Sequence, residues 1–471
     1  MGMVACPLLV PAKVVLDPWP GLAVLTCWDL RGGMGPAIHR FSAVLLPSAR
    51  LRPNEQIAIA RAGVAVSCLP PTSSCELDLS GLNADAPELR RSLLAWWQLH
   101  GRHDIPWKLN RAGSPPADGE PLDPYGIWIA EVMLQQTQLA VVLPYWHRWM
   151  TALPNLRALA AAGEQDVLLL WQGLGYYSRA RRLHQGALSL KERAGAGGGD
   201  PWPCDLEGWQ ALPGIGRSTA ASILTSAFDR PAALLDGNAL RVLARLTAHP
   251  VPPRRALAGF WRLSETLLDR PRPRAFNQAL MDLGATVCTP RSPTCGSCPW
   301  SQGCAAYAAG DPARFPVKDH TRPVPFQVIG VGVVLNGSGQ VLIDQRLQEG
   351  LLGGLWEFPG GKQEPGEPIE ATIRRELQEE LAIEVEVGEE LVVVDHAYSH
   401  KRLRFVVHLC RWLLGDPRPL ASQQVRWVMP ADLDAYPFPV ANARIIEALR
   451  RRLGADSPAG QRHPGESRTA A

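Results

Sequence analysis

Residues 212–238 read LPGIGRSTAASILTSAFDRPAALLDGN. A proline and two glycines at 213–216 interrupt an apolar-periodic stretch, DLEGWQ before and RSTAASILTSAF after, which predicts helix, tight turn, helix. Gly214 and Gly216 let the turn expose its backbone N–H groups. Together with the N-terminus of the following helix, those groups can bind a phosphate without sequence preference. Asp236 stands where an apolar run, PAALL, meets the helix start GNALRVLARL; alone it would be an ordinary N-cap.

Outward from this stretch the helical pattern persists. ELRRSLLAWWQLHG (88–101), YGIWIAEVMLQQTQLAVVLPYWHRWM (125–150), LRALAAAGEQDVLLLWQGLG (156–175), YSRARRLHQGALSLKERAG (177–195) and RAFNQALMDLGATVC (274–288) each read as one amphipathic helix, so 87–310 is expected to be all-α. Residues 311–325 form a polar linker. From 326 the period changes: FQVIGVGVVLNGSGQVLIDQR (326–346) is two strands around an NGSG turn. A Gly-rich loop, the helix 368–382, three more strands and a last helix, ANARIIEALRRRL, make 326–455 an α+β domain. Residues 456–471 read as a disordered tail. Residues 1–86 have weak periodicity and no evident role, although VVLDPWPGLAVLTCW (14–28) suits strands.

The length of 471 residues fits several domains, and 46% hydrophobic against 20% charged residues excludes wholesale disorder. No run of eighteen uncharged apolar residues occurs, so neither a membrane span nor a membrane partner is expected. The net charge of +3 conceals a segregation: 87–310 carries a surplus of six positive charges, almost all arginine, and 311–471 a deficit of three. A basic middle and an acidic end suggest two domains with different ligands, although arginine-rich codon usage would give the same count.

Cys288, Cys295, Cys298 and Cys304 stand as C-x6-C-x2-C-x5-C. Zinc ribbons pair two C-x2-C knuckles, and here there is one; four cysteines in one short loop suit a [4Fe–4S] cluster. In IWIAEVMLQQTQ (127–138), Glu131 lies on an apolar helix beside Gln135, Gln136 and Thr137, where by itself it would read as a paired core carboxylate.

Taken together, these strings resemble adenine DNA glycosylases of the MutY type, in the helix–hairpin–helix endonuclease III superfamily. Roughly 88–310 is covered, with GLGYYSRAR (173–181) and FNQALMDLGATVCT (276–289) in order beside the hairpin, the Asp and the cysteine loop. The resemblance implies that Glu131 protonates adenine and Asp236 stabilises the cationic sugar, a two-carboxylate division of labour. It implies adenine contact by Gln278, and duplex wedging by Gln136 and Tyr176. It places Thr137, Leu174, Gly214, Gly216, Ser218 and Asn238 at the DNA. Glycosylases that also cut the backbone carry a lysine where Ser218 stands, so an abasic site is the expected product. The insertion between Trp107 and Tyr125 makes the places of His103 and Trp107 harder to assign.

GKQEPGEPIEATIRRELQEELAI (361–383) resembles the Nudix box, with Ala382 where glycine is usual. Glu376, Glu379 and Glu380 share one helix face and repel unless a cation such as Mg²⁺ binds. WEFPGGKQEPGE (356–367) and FPVANARIIEAL (438–449), with Asn442 at the purine-reading position, look like 8-oxo-dGTP diphosphatases of the MutT type. YSHKRLRF (398–405) resembles the 8-oxoguanine-reading loop of the MutY C-terminal domain, which points to Tyr398, Ser399 and His400. The carboxylate expected before the last core strand is missing from ASQQVRWV (421–428).

These readings converge on base-excision repair of adenine opposite 8-oxoguanine or guanine in double-stranded DNA, with residual 8-oxo-dGTP hydrolysis by the C-terminal domain a further expectation. A monomeric, cytoplasmic, nucleoid-associated protein is expected. The rivals are an endonuclease III-like enzyme for oxidised pyrimidines, which Ser218 and the C-terminal domain oppose, and a damage sensor that binds without excision, which Glu131 with Asp236 opposes.

Overall fold

The computed structural model describes residues 80–195, 199–319, 323–398 and 401–454, and three short strands nearer the N-terminus. The chain divides into two units, Met1–Ser73 and Ser74–Ala471. In the first, β1 (Val14–Leu16), β2 (Ala23–Leu25) and β3 (Phe41–Ala43) form an antiparallel sheet in that order. The stretch 14–28, which suits strands, holds β1 and β2; the expectation of a poorly ordered extension otherwise lies outside the described residues, as does that of a tail at 456–471.

The second unit begins with α1 (Ser80–His100), so the expected boundary at 87 falls inside a helix. Pro87 suggested a start because proline lacks the N–H and crowds the preceding turn. Instead the buried row Ala86, Leu89, Leu93 and Leu94 continues one apolar face through it. Two other long helices divide. Residues 125–150 become α2 (Pro124–Leu134) and α3 (Leu139–Ala152), broken where Gln136 takes φ 61°. Residues 156–175 become α4 (Leu156–Ala161) and α5 (Glu164–Trp171), with Gly163 at the second N-cap. In both, the apolar period runs unbroken across the interruption, so periodicity alone reads one helix. Then follow α6 (Ser178–Ala194), α7 (Leu206–Gln210), α8 (Arg217–Phe228), α9 (Gly237–Leu246), α10 (Leu257–Leu267), α11 (Pro273–Thr286) and the short α12 (Ala305–Ala308).

These helices enclose two hydrophobic cores. One gathers α2–α8 around Trp128, Trp149, Trp171 and Trp209. The other gathers α1 and α9–α11 around Leu93, Phe260, Phe276 and Leu283. The chain thus contributes one helix to the second core, builds the first, and returns. The residues joining the cores line a cleft, with Glu131 from the first side and Asp236 from the second.

Beyond the linker, β4 (Phe326–Leu335), β5 (Val341–Gln345), β8 (Glu384–Ala397), β9 (Arg402–Leu414) and β10 (Gln424–Val428) form a mixed sheet of order β10-β5-β4-β9-β8, with β4 parallel to β9. Two short strands in the Gly-rich loop, β6 (Trp356–Glu357) and β7 (Gly360–Lys362), were not expected; they are too brief to show a period. The sheet is sandwiched by α13 (Ile369–Leu381), packing Ile373, Leu377 and Leu381 on one face, and α14 (Val440–Arg452), packing Ile445, Ile446 and Leu449 on the other.

Candidate active site and nucleic-acid interface

Helix α2 is almost wholly apolar and buried, which leaves Glu131 as its one carboxylate, opening on the cleft. Asp123 caps the start of α2, accepting from the N–H groups of Tyr125 at 3.1 Å and Gly126 at 3.2 Å. At the other end Gln135 reaches the hairpin, donating to Thr219 Oγ1 at 3.1 Å and Gly214 O at 3.3 Å. The hairpin itself is α7, a turn with Gly214 at φ 80°, and Gly216 as N-cap of α8, as read.

Asp236 is the N-cap of α9. Its Oδ1 accepts from Ala239 N at 2.7 Å and its Oδ2 from Asn238 Nδ2 at 3.2 Å. Arg241 holds Asn238 Oδ1 at 2.7 Å. Helix α11 comes close enough behind this turn that a Cβ on Gly284 would lie 2.7 Å from Asn238 Cβ, so a larger residue would displace the capping loop.

Glu131 and Asp236 line one cleft of about 610 Å³, with Ile105, Trp107, Thr137, Ser218 and Asn238 among its walls. Burial pushes the Glu131 carboxyl up to about 7; Asp236 adds to the rise, and the Ser222 hydroxyl and Lys108 ammonium oppose it. Burial also raises Asp236, against the N–H donors of Ala239 and Asn238 and the Arg241 charge. Ser218 faces the cleft with a buried hydroxyl that has no hydrogen-bond partner among the described residues.

Two features of this cleft were missed by reading the sequence. Asp282 is fully buried and accepts from Trp97 Nε1 at 3.0 Å, Arg102 N at 3.0 Å, Arg102 Nε at 2.7 Å and Lys108 Nζ at 3.3 Å. Burial works to raise its carboxyl, but the Lys108 and Arg102 charges outweigh that and hold it below the ordinary range. Lys108 in turn donates to Arg102 O at 3.0 Å, and burial lowers its ammonium. The signal was the i, i+4 spacing of Gln278 and Asp282 on α11. Gln278 was expected in the adenine pocket. It is buried one turn away, lining a separate cavity of about 270 Å³ with His103 and Lys108, while Asp282 takes the cleft. Leu174, expected at the DNA, has its side chain buried in the first core.

Gln136 is exposed and Tyr176 keeps 45% of its surface exposed. Both sit at positive φ, 61° and 48°. Next to Tyr176, the Tyr177 hydroxyl donates to Phe438 O at 2.9 Å, tying the helical domain to the start of α14. Trp356 Nε1 donates to Gln165 Oε1 at 3.1 Å across the same junction.

The four cysteines ring one pocket together with Val287, Pro293 and Arg245, whose NH1 donates to Cys288 Sγ at 3.2 Å. All four are free thiols. Burial pushes the Cys298 thiol up to about 12, and burial also raises Cys295 and Cys304, with neighbouring sulfurs adding to each. Among the described residues no three His, Cys, Asp or Glu side chains are placed to share a single metal ion. An all-thiol ring around a pocket fits a polynuclear cluster, in which each sulfur takes a different iron.

That finding weighs differently on the Nudix face. Arg375 donates to Glu376 Oε1 at 3.0 Å and Glu379 Oε2 at 3.2 Å, and to both oxygens of Glu367 at 3.0 and 3.2 Å. Burial pushes Glu380 up to about 7, with the charges of Glu376, Glu357 and Glu379 adding to the rise and Arg346 opposing it. Among the described residues the trio expected to hold Mg²⁺ is not placed to share one ion, and two of its members are paired with the box's own arginine. The Tyr398 N–H closes the β8–β9 turn on Lys401 O at 2.8 Å, and Asn442 is buried in the first turn of α14. Ser399 and His400 lie outside the described residues.

A hairpin presenting N–H groups beside a two-carboxylate cleft defines a helix–hairpin–helix base-excision enzyme. Residues 129–262 match the family model for the HhH-GPD superfamily of base excision DNA repair proteins, and residues 330–448 match the NUDIX domain. Within that class, the chain belongs to the adenine DNA glycosylase family. It is 37% identical over 395 residues to the adenine DNA glycosylase of Mus musculus, covering 73% of this chain and 74% of that one. It is 35% identical to the adenine DNA glycosylase of Homo sapiens, covering 78% and 75%. A solved thermostable thymine-DNA glycosylase covers 49% of this chain and all of its own at 26% identity, with a TM-score of 0.42. No helix among the described residues is long and apolar enough to cross a membrane.

Proposed function

We propose that this enzyme hydrolyses the N-glycosidic bond of adenine mispaired with 8-oxoguanine or guanine in duplex DNA, leaving an abasic site. The observation that carries the reading is the shared cleft of Glu131 and Asp236 with a serine, Ser218, at its rim. A carboxyl raised to about 7 is half protonated near neutrality, poised to give its proton to the departing base. Asp236, fixed by its cap bonds, faces the developing oxocarbenium charge; that charge favours its ionised form and offsets the burial that otherwise raises it. Lys108 is the lysine nearest this chemistry, and its ammonium is engaged by Asp282 and Arg102 O, so it serves the charge balance and not imine formation.

The hairpin N–H groups and the arginine-rich surface hold phosphates. Gln136 and Tyr176, exposed on adjoining loops, enter the stack when adenine is turned out. The four cysteines would hold a [4Fe–4S] cluster, which supplies a rigid, charged loop and takes no part in bond breaking. The C-terminal domain reads 8-oxoguanine in DNA through the Tyr398 turn and Asn442. Hydrolysis of 8-oxo-dGTP finds no support in the placement of Glu376 and Glu379.

The test is release of base from three duplexes: adenine opposite 8-oxoguanine, adenine opposite guanine, and an oxidised pyrimidine opposite guanine. Release from the first two and not the third is expected. The reverse would favour the pyrimidine-specific rival, and tight binding with no release the sensor.

A further inference from the structure

Arg179, the second residue of α6, is 6% exposed, and among the described residues no carboxylate pairs with it. Burying a guanidinium without an anion is costly unless oxygen acceptors surround it. Six do. NH1 donates to Met133 O at 2.8 Å, Val132 O at 3.1 Å and Gln135 O; NH2 donates to Gly175 O at 3.0 Å, Leu174 O at 3.2 Å and Thr137 Oγ1 at 3.2 Å. The guanidinium also lies over the rings of Trp171, at 5.2 Å, and Tyr176, at 5.5 Å. Burial lowers its pKa to about 10, which still leaves it charged near neutral pH.

The acceptors fall into two groups. Val132 and Met133 lie in the last turn of α2 and Gln135 is its C-cap, where the negative end of the helix dipole adds to the attraction. With Thr137 they flank Gln136. Leu174 and Gly175 lead directly into Tyr176. Gln136 and Tyr176 are the two residues of these loops held at positive φ without being glycine, a conformation that persists only where the surroundings impose it. One cation therefore spans both strained loops and the end of the helix that carries Glu131.

We propose that Arg179 is a positioning residue that holds Gln136 and Tyr176 preset for entry into the duplex, so that adenine is turned out against a rigid rim. This rests on the reading of those two side chains as wedges. It separates two steps: Arg179 governs extrusion, while Glu131 and Asp236 govern bond breaking. Lysine keeps the charge but has three donors at one point, too few to satisfy six acceptors on two loops.

The experiment follows 2-aminopurine fluorescence in a duplex on mixing with the full-length protein, alongside single-turnover adenine release across pH. Arg179→Lys is expected to slow extrusion about tenfold or more while leaving the pH midpoint of release unchanged. Extrusion within about twofold of the parent in a folded Arg179→Lys protein, or a moved midpoint with normal extrusion, would overturn the inference. Gln136→Ala and Tyr176→Ala separate the layers: if neither slows extrusion the wedge reading fails, and if both do while Arg179→Lys does not, the inference alone fails. Should Arg179→Lys not fold, amide hydrogen exchange in the DNA-free parent decides. Protection across 132–137 and 174–177 supports the preset rim, and unprotected exchange there refutes it.

Discussion

Glu131 and Asp236 in the helical domain, and Glu376 and Glu379 in the Nudix domain, are all carboxylates set on helices, yet what faces them differs. The first pair looks across an open cleft, where the cation beside Glu131, Lys108, is already shared with Asp282, and the one beside Asp236, Arg241, holds Asn238. The second pair shares Arg375 with Glu367 in a closed set of ion pairs. Burial without a dedicated partner leaves a carboxyl with a displaced affinity for protons, which a reaction can use. A carboxylate satisfied by its own helix neighbour is part of the scaffold. The pairing of each acid, more than its presence in a motif, separates the chemistry of the two domains.

The largest effect expected from this contrast is at Glu131. Glu131→Gln should bind the mismatch and lose about two orders of magnitude or more in single-turnover excision. Glu379→Gln should leave excision unchanged. An equal loss in both would erase the distinction.

Cys298→Ser comes next. It should lower DNA affinity about tenfold with the bond-breaking step on bound substrate preserved, and iron analysis of the parent should give about four iron atoms. One zinc and no sulfide would contradict the cluster.

The pH dependence sharpens the comparison further. Glu131 must be protonated to act as an acid, so excision should fall as pH rises through about 7. Lys108 lowers the Glu131 pKa, so Lys108→Gln should move that fall to higher pH. A fall unmoved in Lys108→Gln would place the titrating group elsewhere.

The smallest effect concerns backbone. Ala382 ends α13 in the left-handed region at φ 56°, as the usual glycine of the box would. Ala382→Gly should stabilise the Nudix domain by about 1 kcal/mol in denaturant melts, without altering excision.

Much of this was readable in advance because it depends on local chemistry. The hairpin glycines, the Asp236 cap, the cysteine spacing and the cost at Ala382 are all properties of short segments. The breaks at Gln136 and Gly163 were not, since the apolar period runs straight across them. Nor was the division of α11, where Gln278 and Asp282 lie one turn apart and only the packing of α1 and Lys108 decides which one enters the cleft. Arg179 looked like one arginine among many in a basic segment; its role appears only once two distant loops close around it.

The central claim is that two carboxylates break the glycosidic bond by hydrolysis with no amine intermediate. The most direct measurement incubates the protein with a duplex holding adenine opposite 8-oxoguanine, divided into arms with borohydride, with alkali and with neither. Free adenine in the untreated arm, strand scission only after alkali, and no covalent adduct with borohydride are the predicted results. A borohydride-trapped protein–DNA adduct in high yield, with scission in the untreated arm, would contradict it and point to Lys108.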